Sequence, residues 1–169
     1  AASLVGAMRG GLAMVNIGAS MLFAEISGSA VADVAAQGSI LIPQMEKRGY
    51  PRAFAAAVTS ASASIAIIIP PSLAFIIYGA IAQQSVAKLF IAGIVPGLML
   101  AGSLMVTSYI FAVRYGWPTE GPFRLRRVFR AFRRAIWGLT LPIIILGGIL
   151  GGIFTPTEAA AVAVLAALI

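Results

Sequence analysis

Long apolar runs with almost no charge are the feature that most constrains how this chain can fold. Hydrophobic residues make up 60% of the 169 residues and charged residues 10%, whereas soluble domains carry about 25% charged residues. A soluble chain of this length could not bury so much apolar surface, but a lipid bilayer accommodates it. Backbone groups in hydrocarbon must be hydrogen-bonded internally, and the runs do not alternate strictly, which indicates helices. The predicted fold class is therefore an all-α polytopic membrane protein.

The residue types that the sequence lacks narrow its chemistry. The chain has no cysteine and no histidine, which removes thiolate metal ligands and the commonest general base. Its carboxylates are not paired at helical spacing, so we expect no enzyme and no cofactor. An intramembrane enzyme and a membrane scaffold without transport activity are the alternatives from other functional classes.

One strongly basic stretch divides the apolar segments. It holds seven arginines against one acid, Glu120: Arg114, Arg124, Arg126, Arg127, Arg130, Arg133 and Arg134. Such a run could bind nucleic acid, but apolar segments flank it on both sides, which favours a cytoplasmic loop that obeys the positive-inside rule. We predict membrane segments in residues 1–113, a basic cytoplasmic connector at 114–134, further transmembrane helices at 135–169, and no nucleic-acid partner.

The first two apolar segments predict a re-entrant hairpin. They cover about residues 10–26 and 30–45, roughly 16 residues each, and a full crossing needs about 20. Basic residues at both outer ends, Arg9 and Lys47, place both ends in the cytoplasm. The small polar residues 27–29 would form the tip of the hairpin. Two complete crossings by short helices are the alternative.

The third segment predicts a broken transmembrane helix. It runs over about residues 53–82, and an unbroken helix of 30 residues would be about 45 Å long, which exceeds the ~30 Å hydrocarbon core. Pro70 and Pro71 remove two helical donors, so we expect the helix to break between Ile67 and Ser72. The polar turn 83–85 follows, and an apolar segment then returns the chain to the cytoplasm.

The C-terminal part predicts two more helices. An apolar segment covers about residues 135–153, and a new helix begins at Thr155, with Thr155 as the cap, Pro156 in the first turn and Glu158 facing the positive helix end. The sequence begins with Ala1 and ends inside an apolar run, so we expect a piece of a longer permease.

Polar residues at membrane depth are costly and are candidates for functional sites. They fall into three clusters: Glu25, Ser27, Gly28, Ser29 and Asp33; Thr59, Ser60, Ser62 and Ser64; and Thr155, Thr157 and Glu158. Broken helices expose carbonyl oxygens that coordinate hard cations, and helix starts offer N–H groups to anions. The alternative is that these small residues only allow close helix packing or cap helices.

Short motifs along nearly the whole chain resemble a known family. They are GSAVAD from Gly28, GSILIP from Gly38, KRGY from Lys47, IPPS from Ile69, YG from Tyr78, LFIAGIVPG from Leu89 and GGIFTPTEAA from Gly151. Together and in this order they resemble the large membrane subunit of TRAP transporters, the tripartite ATP-independent periplasmic transporters. The stretch from Ala63 to Ala66 departs from the family pattern, which usually has glycines before the two prolines.

The resemblance implies a part of an elevator-type transporter in the bacterial inner membrane. Such a protein imports small organic acids, such as C4-dicarboxylates or sialic acid, with Na⁺ as the coupling ion. Its partners would be a small membrane subunit and a periplasmic substrate-binding protein. Another elevator-type anion permease is the alternative within this class.

The resemblance also implies where the ions and the substrate bind. The sodium site would lie between the hairpin tip and the break in the next helix, with these residues: Ser27, Gly28, Ser29, Ser62, Ser64 and the carbonyls at Pro70. The residues closest to the substrate would be Ser29, Asp33, Pro71 and Ser72.

Overall fold

The computed structural model describes residues 10–117 and 140–167, and all regular structure in these two ranges is helical. The α-helices are α1 (Gly11–Ser27), α2 (Ala30–Lys47), α3 (Arg52–Ala63), α4 (Leu73–Ile81), α5 (Val86–Arg114), α6 (Thr140–Leu150) and α7 (Pro156–Ala167). A short 3₁₀ helix, Ser64–Ile67, lies between α3 and α4. The helical part of the predicted fold class is confirmed. Arg9, most of the basic connector and the start of the segment predicted at 135–153 lie outside the described residues.

Helices α1 and α2 follow the first two predicted segments to within about two residues and are joined by Gly28 and Ser29. Gly28 has a left-handed conformation with φ 58°, and its N–H donates to the Ala24 carbonyl over 2.9 Å, which ends α1. The Ser29 hydroxyl accepts from the Ala32 N–H over 3.5 Å and caps α2. The re-entrant placement of this pair in a membrane stays a prediction.

The predicted break between α3 and α4 is present, but it begins earlier than expected. Helix α3 already ends at Ala63, and the chain continues as the 3₁₀ helix before α4 starts at Leu73. Residues 70 and 71 are prolines, so no N–H is available for the carbonyls four residues earlier. The Ser72 hydroxyl replaces one missing donor, since it donates to the Ile67 carbonyl over 2.6 Å. The backbone therefore tightens one turn ahead of the prolines, and it does so without the glycines of the family pattern.

Helix α5 carries the clearest membrane character. Of the helices in the two described ranges, it is the one whose length of 29 residues and mean hydropathy of 2.2 suffice to cross a bilayer. It continues through Pro96, and large apolar side chains such as Val95 and Met99 are exposed. Such a surface suits hydrocarbon or another apolar protein segment and does not suit water.

Buried polar pairs join α1 to α3. The Asn16 side-chain N–H₂ donates to the Thr59 hydroxyl over 2.7 Å, and the hydroxyls of Ser20 and Ser62 lie 2.9 Å apart. All four side chains are buried. Hydrogen bonds between apolar helices typically contribute about 0.6–2 kcal/mol each. These two bonds fix the register of α1 on α3 and so set where the end of α1, at Ser27, meets the break.

Two glycines of α5 allow the break to approach that helix closely. A Cβ atom on Gly93 would overlap the Ile68 carbonyl oxygen and the Phe75 ring, and one on Gly97 would overlap the Ile69 side chain. At Gly102, one to two turns beyond Gly97 on the same helix, an added Cβ would meet no side chain and no other helix within 4 Å among the described residues. The break therefore packs directly against the backbone of α5 at these two glycines.

We predict that Gly93→Ala destabilises the fold while Gly102→Ala does not. The added methyl at position 93 meets a backbone oxygen, which cannot move cheaply, and overpacking of this kind costs about 1–3 kcal/mol. At position 102 alanine only improves helix propensity, by up to about 1 kcal/mol. Thermal unfolding of the two purified full-length variants in detergent measures the difference. Equal melting temperatures would contradict the close contact at Gly93.

Candidate functional site

The tip of the α1–α2 hairpin lies directly against the break between α3 and α4. The Gly28 carbonyl accepts a hydrogen bond from the Leu73 N–H over 3.4 Å. A Cβ atom on Gly28 would stand only 3.2 Å from the Pro71 carbonyl oxygen. A residue without a side chain is needed here both for this close approach and for the positive φ of 58°. Two interruptions of apolar helices therefore meet at one point.

The hairpin tip is held together by its own polar side chains. The Ser27 hydroxyl donates to one carboxylate oxygen of Asp33 over 2.5 Å and accepts from the Ser29 N–H over 3.3 Å. Asp33 is completely buried, and its second carboxylate oxygen has no hydrogen-bond partner among the described residues. The tip thus presents a carboxylate oxygen, two hydroxyls and backbone carbonyls within a few residues of one another.

The other side of the contact is the break itself. The Ser72 side chain is completely buried, donates to the Ile67 carbonyl and accepts from the Phe75 N–H over 3.5 Å, which caps α4. The hydroxyl of Ser72 is therefore already engaged in holding the break. The Pro71 carbonyl faces Gly28 and is the oxygen that the break brings to the tip.

The two serines predicted from the third segment do not join the tip. The Ser62 hydroxyl donates to the Thr59 carbonyl over 3.1 Å and pairs with Ser20, which lies seven residues before Ser27 and so about 10 Å from it along α1. Ser64 begins the 3₁₀ helix and is exposed. The structure brings together Ser27, Gly28, Ser29, Asp33 and Pro71 from the predicted set, and places Ser62 in the α1–α3 interface.

A cavity of about 180 Å³ opens beside the contact between tip and break. Ser27, Gly28 and Pro71 line one side of it. The other side belongs to α6 and α7, through residues that include Ile149 and Pro156. The cavity is mostly apolar, with its polar groups concentrated at the tip, as is common for sites that orient a small ligand.

The start of α7 has the geometry that the sequence predicted. The Glu158 carboxylate accepts from the N–H and the hydroxyl of Thr155, each over 2.8 Å, and the Thr155 hydroxyl accepts from the Glu158 N–H over 3.4 Å. This reciprocal pair is a capping box. It accounts for Thr155 and Glu158 as helix-start residues and places the first residue of α7, Pro156, at the cavity wall.

Sequence reasoning missed several buried polar residues on α1 and α2. Asn16 and Ser20 on α1 hold Thr59 and Ser62, and Gln37 on α2 is 7% exposed with no hydrogen-bond partner for its amide group among the described residues. The signal was present, because an amide or hydroxyl within an apolar segment is expensive and usually has a purpose. The α6 wall of the cavity carried no such signal, since it is aliphatic.

The arrangement suits a hard cation beside an anion. Hydroxyl, carbonyl and carboxylate oxygens are the ligands of hard cations, and the sequence has no softer histidine or cysteine ligands. Helices α2 and α4 both begin at the contact between tip and break, so their positive ends point to the same region. Helix starts of this kind attract anionic groups.

Comparison with known proteins gives the family. The sequence model of the tripartite ATP-independent periplasmic transporter, DctM component, matches residues 1–169. The chain belongs to this family. The expected family, the large membrane subunit of TRAP transporters, is thereby confirmed, and the DctM relatives carry names of permeases.

Similar relatives of the DctM chain differ in what their names say they carry. It is 52% identical to the C4-dicarboxylate TRAP transporter large permease protein DctM of Pseudomonas aeruginosa, over 94% of this chain and 37% of the relative. It is 49% identical to the isethionate TRAP transporter permease protein DctMQ of Oleidesulfovibrio alaskensis, over 98% and 26%. It is 43% identical to the sialic acid TRAP transporter permease protein SiaT of Haemophilus influenzae, over 96% and 26%. The chain thus spans about a quarter to two fifths of the length of these relatives.

We predict that Gly28→Ala lowers the stability of the fold more than Gly49→Ala does. Both glycines have positive φ, 58° and 83°, so both substitutions carry the same left-handed penalty of about 1–2 kcal/mol. Apart from its chain neighbours, no atom of the described residues lies within 4 Å of a Cβ added at Gly49, whereas one added at Gly28 meets the Pro71 oxygen and the Leu73 N–H. The additional loss of unfolding free energy at position 28 should be about 1 kcal/mol or more. The melting temperatures of the two full-length variants measure this difference. A larger loss for Gly49→Ala would contradict the contact between tip and break.

Proposed function

We propose that this DctM chain is part of the membrane subunit of a Na⁺-coupled TRAP-type secondary transporter that imports small organic acids. The observation that carries the proposal is the direct contact of Gly28 with Pro71 and Leu73, where two interrupted helices meet inside an apolar chain. Transporters commonly place coupling ions and substrates at such discontinuous helices, where backbone groups are not used by the helices themselves.

The sodium ion would lie at the tip. Candidate ligands there are the hydroxyls of Ser27 and Ser29, the free carboxylate oxygen of Asp33 and the carbonyls of the break around Pro70 and Pro71. Sodium coordination by Ser62 and Ser64, which the family resemblance implies, has less support, because the Ser62 hydroxyl is engaged with Ser20 and Thr59 and Ser64 is exposed. A cation at the tip would offset the buried carboxylate of Asp33, whose charge is otherwise costly at membrane depth.

The substrate would be an organic acid bound in or beside the cavity next to the tip. Helices α2, α4 and α7 all begin near it. The first turn of α4 carries no acidic residue, so its N-terminus favours a negatively charged group. C4-dicarboxylates, isethionate and sialic acid, for which the three relatives are named, are all acids. Ser29 and Asp33 on the tip and Pro71 and Ser72 at the break remain the residues that we place closest to the substrate.

The remaining parts of the proposal concern assembly and movement. A small membrane subunit and a periplasmic substrate-binding protein would complete the transporter in the bacterial inner membrane, and the name of the DctMQ relative is in keeping with a joined small subunit in that protein. The hairpin and the broken helix would move together as part of an elevator-type transport domain, with both ends of the hairpin at the cytoplasmic side.

We predict that Ser29→Ala raises the sodium concentration for half-maximal uptake roughly ten- to a hundredfold. Removing one hydroxyl leaves the carbonyl and carboxylate oxygens in place, so the loss should be partial, about 1–3 kcal/mol. The uptake rate at saturating sodium should fall less than the uptake rate at low sodium. The measurement is uptake rate against sodium concentration in proteoliposomes that contain the complete transporter, with binding protein and substrate saturating.

Ser39→Ala is the matched control for this experiment. Ser39 lies on α2, the helix that Ser29 caps, and is exposed. Its hydroxyl donates to the Ala36 carbonyl of α2 over 3.0 Å. The Ser39→Ala variant should keep the wild-type sodium concentration for half-maximal uptake. If Ser27→Ala and Ser29→Ala also leave it unchanged, the tip serines are packing residues and the proposed sodium site is wrong.

A further inference from the structure

Five aromatic rings meet where the α2–α3 turn contacts the end of α5. They belong to Tyr50, Phe54, Phe111, Tyr115 and Trp117. The Trp117 ring centroid lies 4.3 Å from that of Phe54 and 4.9 Å from that of Tyr50. The inner side of this cluster is buried, with Tyr50 3% and Trp117 8% exposed. The rings therefore join the hairpin and the broken helix to the long helix at one end of the fold.

The outer side of the same cluster is open. Tyr115 is 62% exposed and Phe111 is 40% exposed. Tyr115 stacks on Phe111 with ring centroids 5.9 Å apart and on Trp117 at 5.8 Å. A partly exposed tyrosine such as Tyr115 is typical of the boundary between hydrocarbon and lipid headgroups, where one part of the ring is dry and the other wet.

Exposed basic residues flank the aromatic rings in the chain. Lys47, Arg48, Arg52 and Arg114 are all exposed and flank the aromatic cluster in the chain, and Glu46 is the one acid among them. Glu46 lies 3.7 Å from the Nε of Arg52, whose side chain is 80% exposed. Four basic residues and one acidic residue leave a formal charge of +3. The opposite end of α5 has much less charge. The charged residue nearest in sequence to the polar turn 83–85, which precedes α5, is Lys88.

We propose that these rings and basic residues, here called the aromatic–basic collar, bind the phosphate headgroup of an anionic phospholipid of the inner leaflet. Arginine pairs with phosphate through two parallel hydrogen bonds, and each basic residue near an anionic leaflet contributes attraction. The stacked rings of Phe111 and Tyr115 would border the glycerol region of the lipid.

The exposed surface next to the collar favours a lipid over an acidic protein segment. Ile110 and Val113 on the last turn of α5 are 57% and 43% exposed, and the apolar exposed surface continues along the helix through Val106. Acyl chains can cover this strip while the headgroup remains at the arginines. An acidic segment would satisfy the charges and leave the strip uncovered.

The test uses the full-length transporter and native mass spectrometry, with titration of phosphatidylglycerol and, separately, of phosphatidylcholine. We expect tighter binding of phosphatidylglycerol, and a loss of about fivefold in its affinity for each arginine removed in Arg52→Gln/Arg114→Gln, which corresponds to about 1 kcal/mol per basic residue. Lys88→Gln, which removes one charge at the start of α5 away from the collar, should keep the wild-type affinity. Glycerol phosphate at equal concentration should not compete.

Four results would overturn the proposal. These are equal affinity for the two lipids, unchanged phosphatidylglycerol binding in the double variant, and competition by glycerol phosphate as strong as by the lipid. The fourth is a double variant that keeps its lipid but loses the small membrane subunit, since the collar would then be a protein interface. Sodium-dependent uptake is not the readout, so the collar and the transport proposal can fail separately.

Discussion

The missing amide donors of Pro70 and Pro71 are the constraint on which the rest of the fold depends. An apolar segment cannot leave its carbonyls unpaired in hydrocarbon without cost. The chain responds by tightening into a 3₁₀ turn, by turning the Ser72 hydroxyl onto the Ile67 carbonyl, and by restarting the helix at Leu73. The hairpin tip then supplies the Gly28 carbonyl to the first N–H of the new helix, at Leu73. Glycines on both neighbouring elements leave room for these contacts.

Contacts around the break differ in strength. Helices α1 and α3 share two buried side-chain hydrogen bonds, through Asn16 and Ser20, while the tip reaches the break through one long bond of 3.4 Å. The buried carboxylate of Asp33 keeps one oxygen without a partner among the described residues. An ion placed between tip and break would add contacts to the unpartnered Asp33 oxygen and to the carbonyls of the break. Under the proposed function, binding of sodium at this contact would be coupled in this way to the position of the hairpin.

Much of the architecture follows from the sequence because it rests on local chemistry. The hydrophobic runs predict α1 and α2 to within about two residues, Thr155 and Glu158 mark the start of α7, and the two prolines mark the break. Side-chain partners were harder, because a serine at membrane depth signals only that some partner exists. The resemblance implies Ser62 as a ligand of the sodium site, and the structure pairs its hydroxyl with that of Ser20, 42 residues away in sequence. The earlier end of α3, at Ala63, follows from the 3₁₀ turn, which the positions of the prolines alone do not specify.

Hydrogen–deuterium exchange of the full-length permease tests the central claim most directly, because it reads the tip and the break separately in one experiment. Exchange is compared in sodium and in choline at equal ionic strength. The account predicts that sodium slows exchange in residues 27–33 and 67–73 together, and leaves the middle of α5 around Gly102 unchanged. Protection of only one of the two segments, or of neither, would contradict a sodium site formed between the hairpin tip and the broken helix.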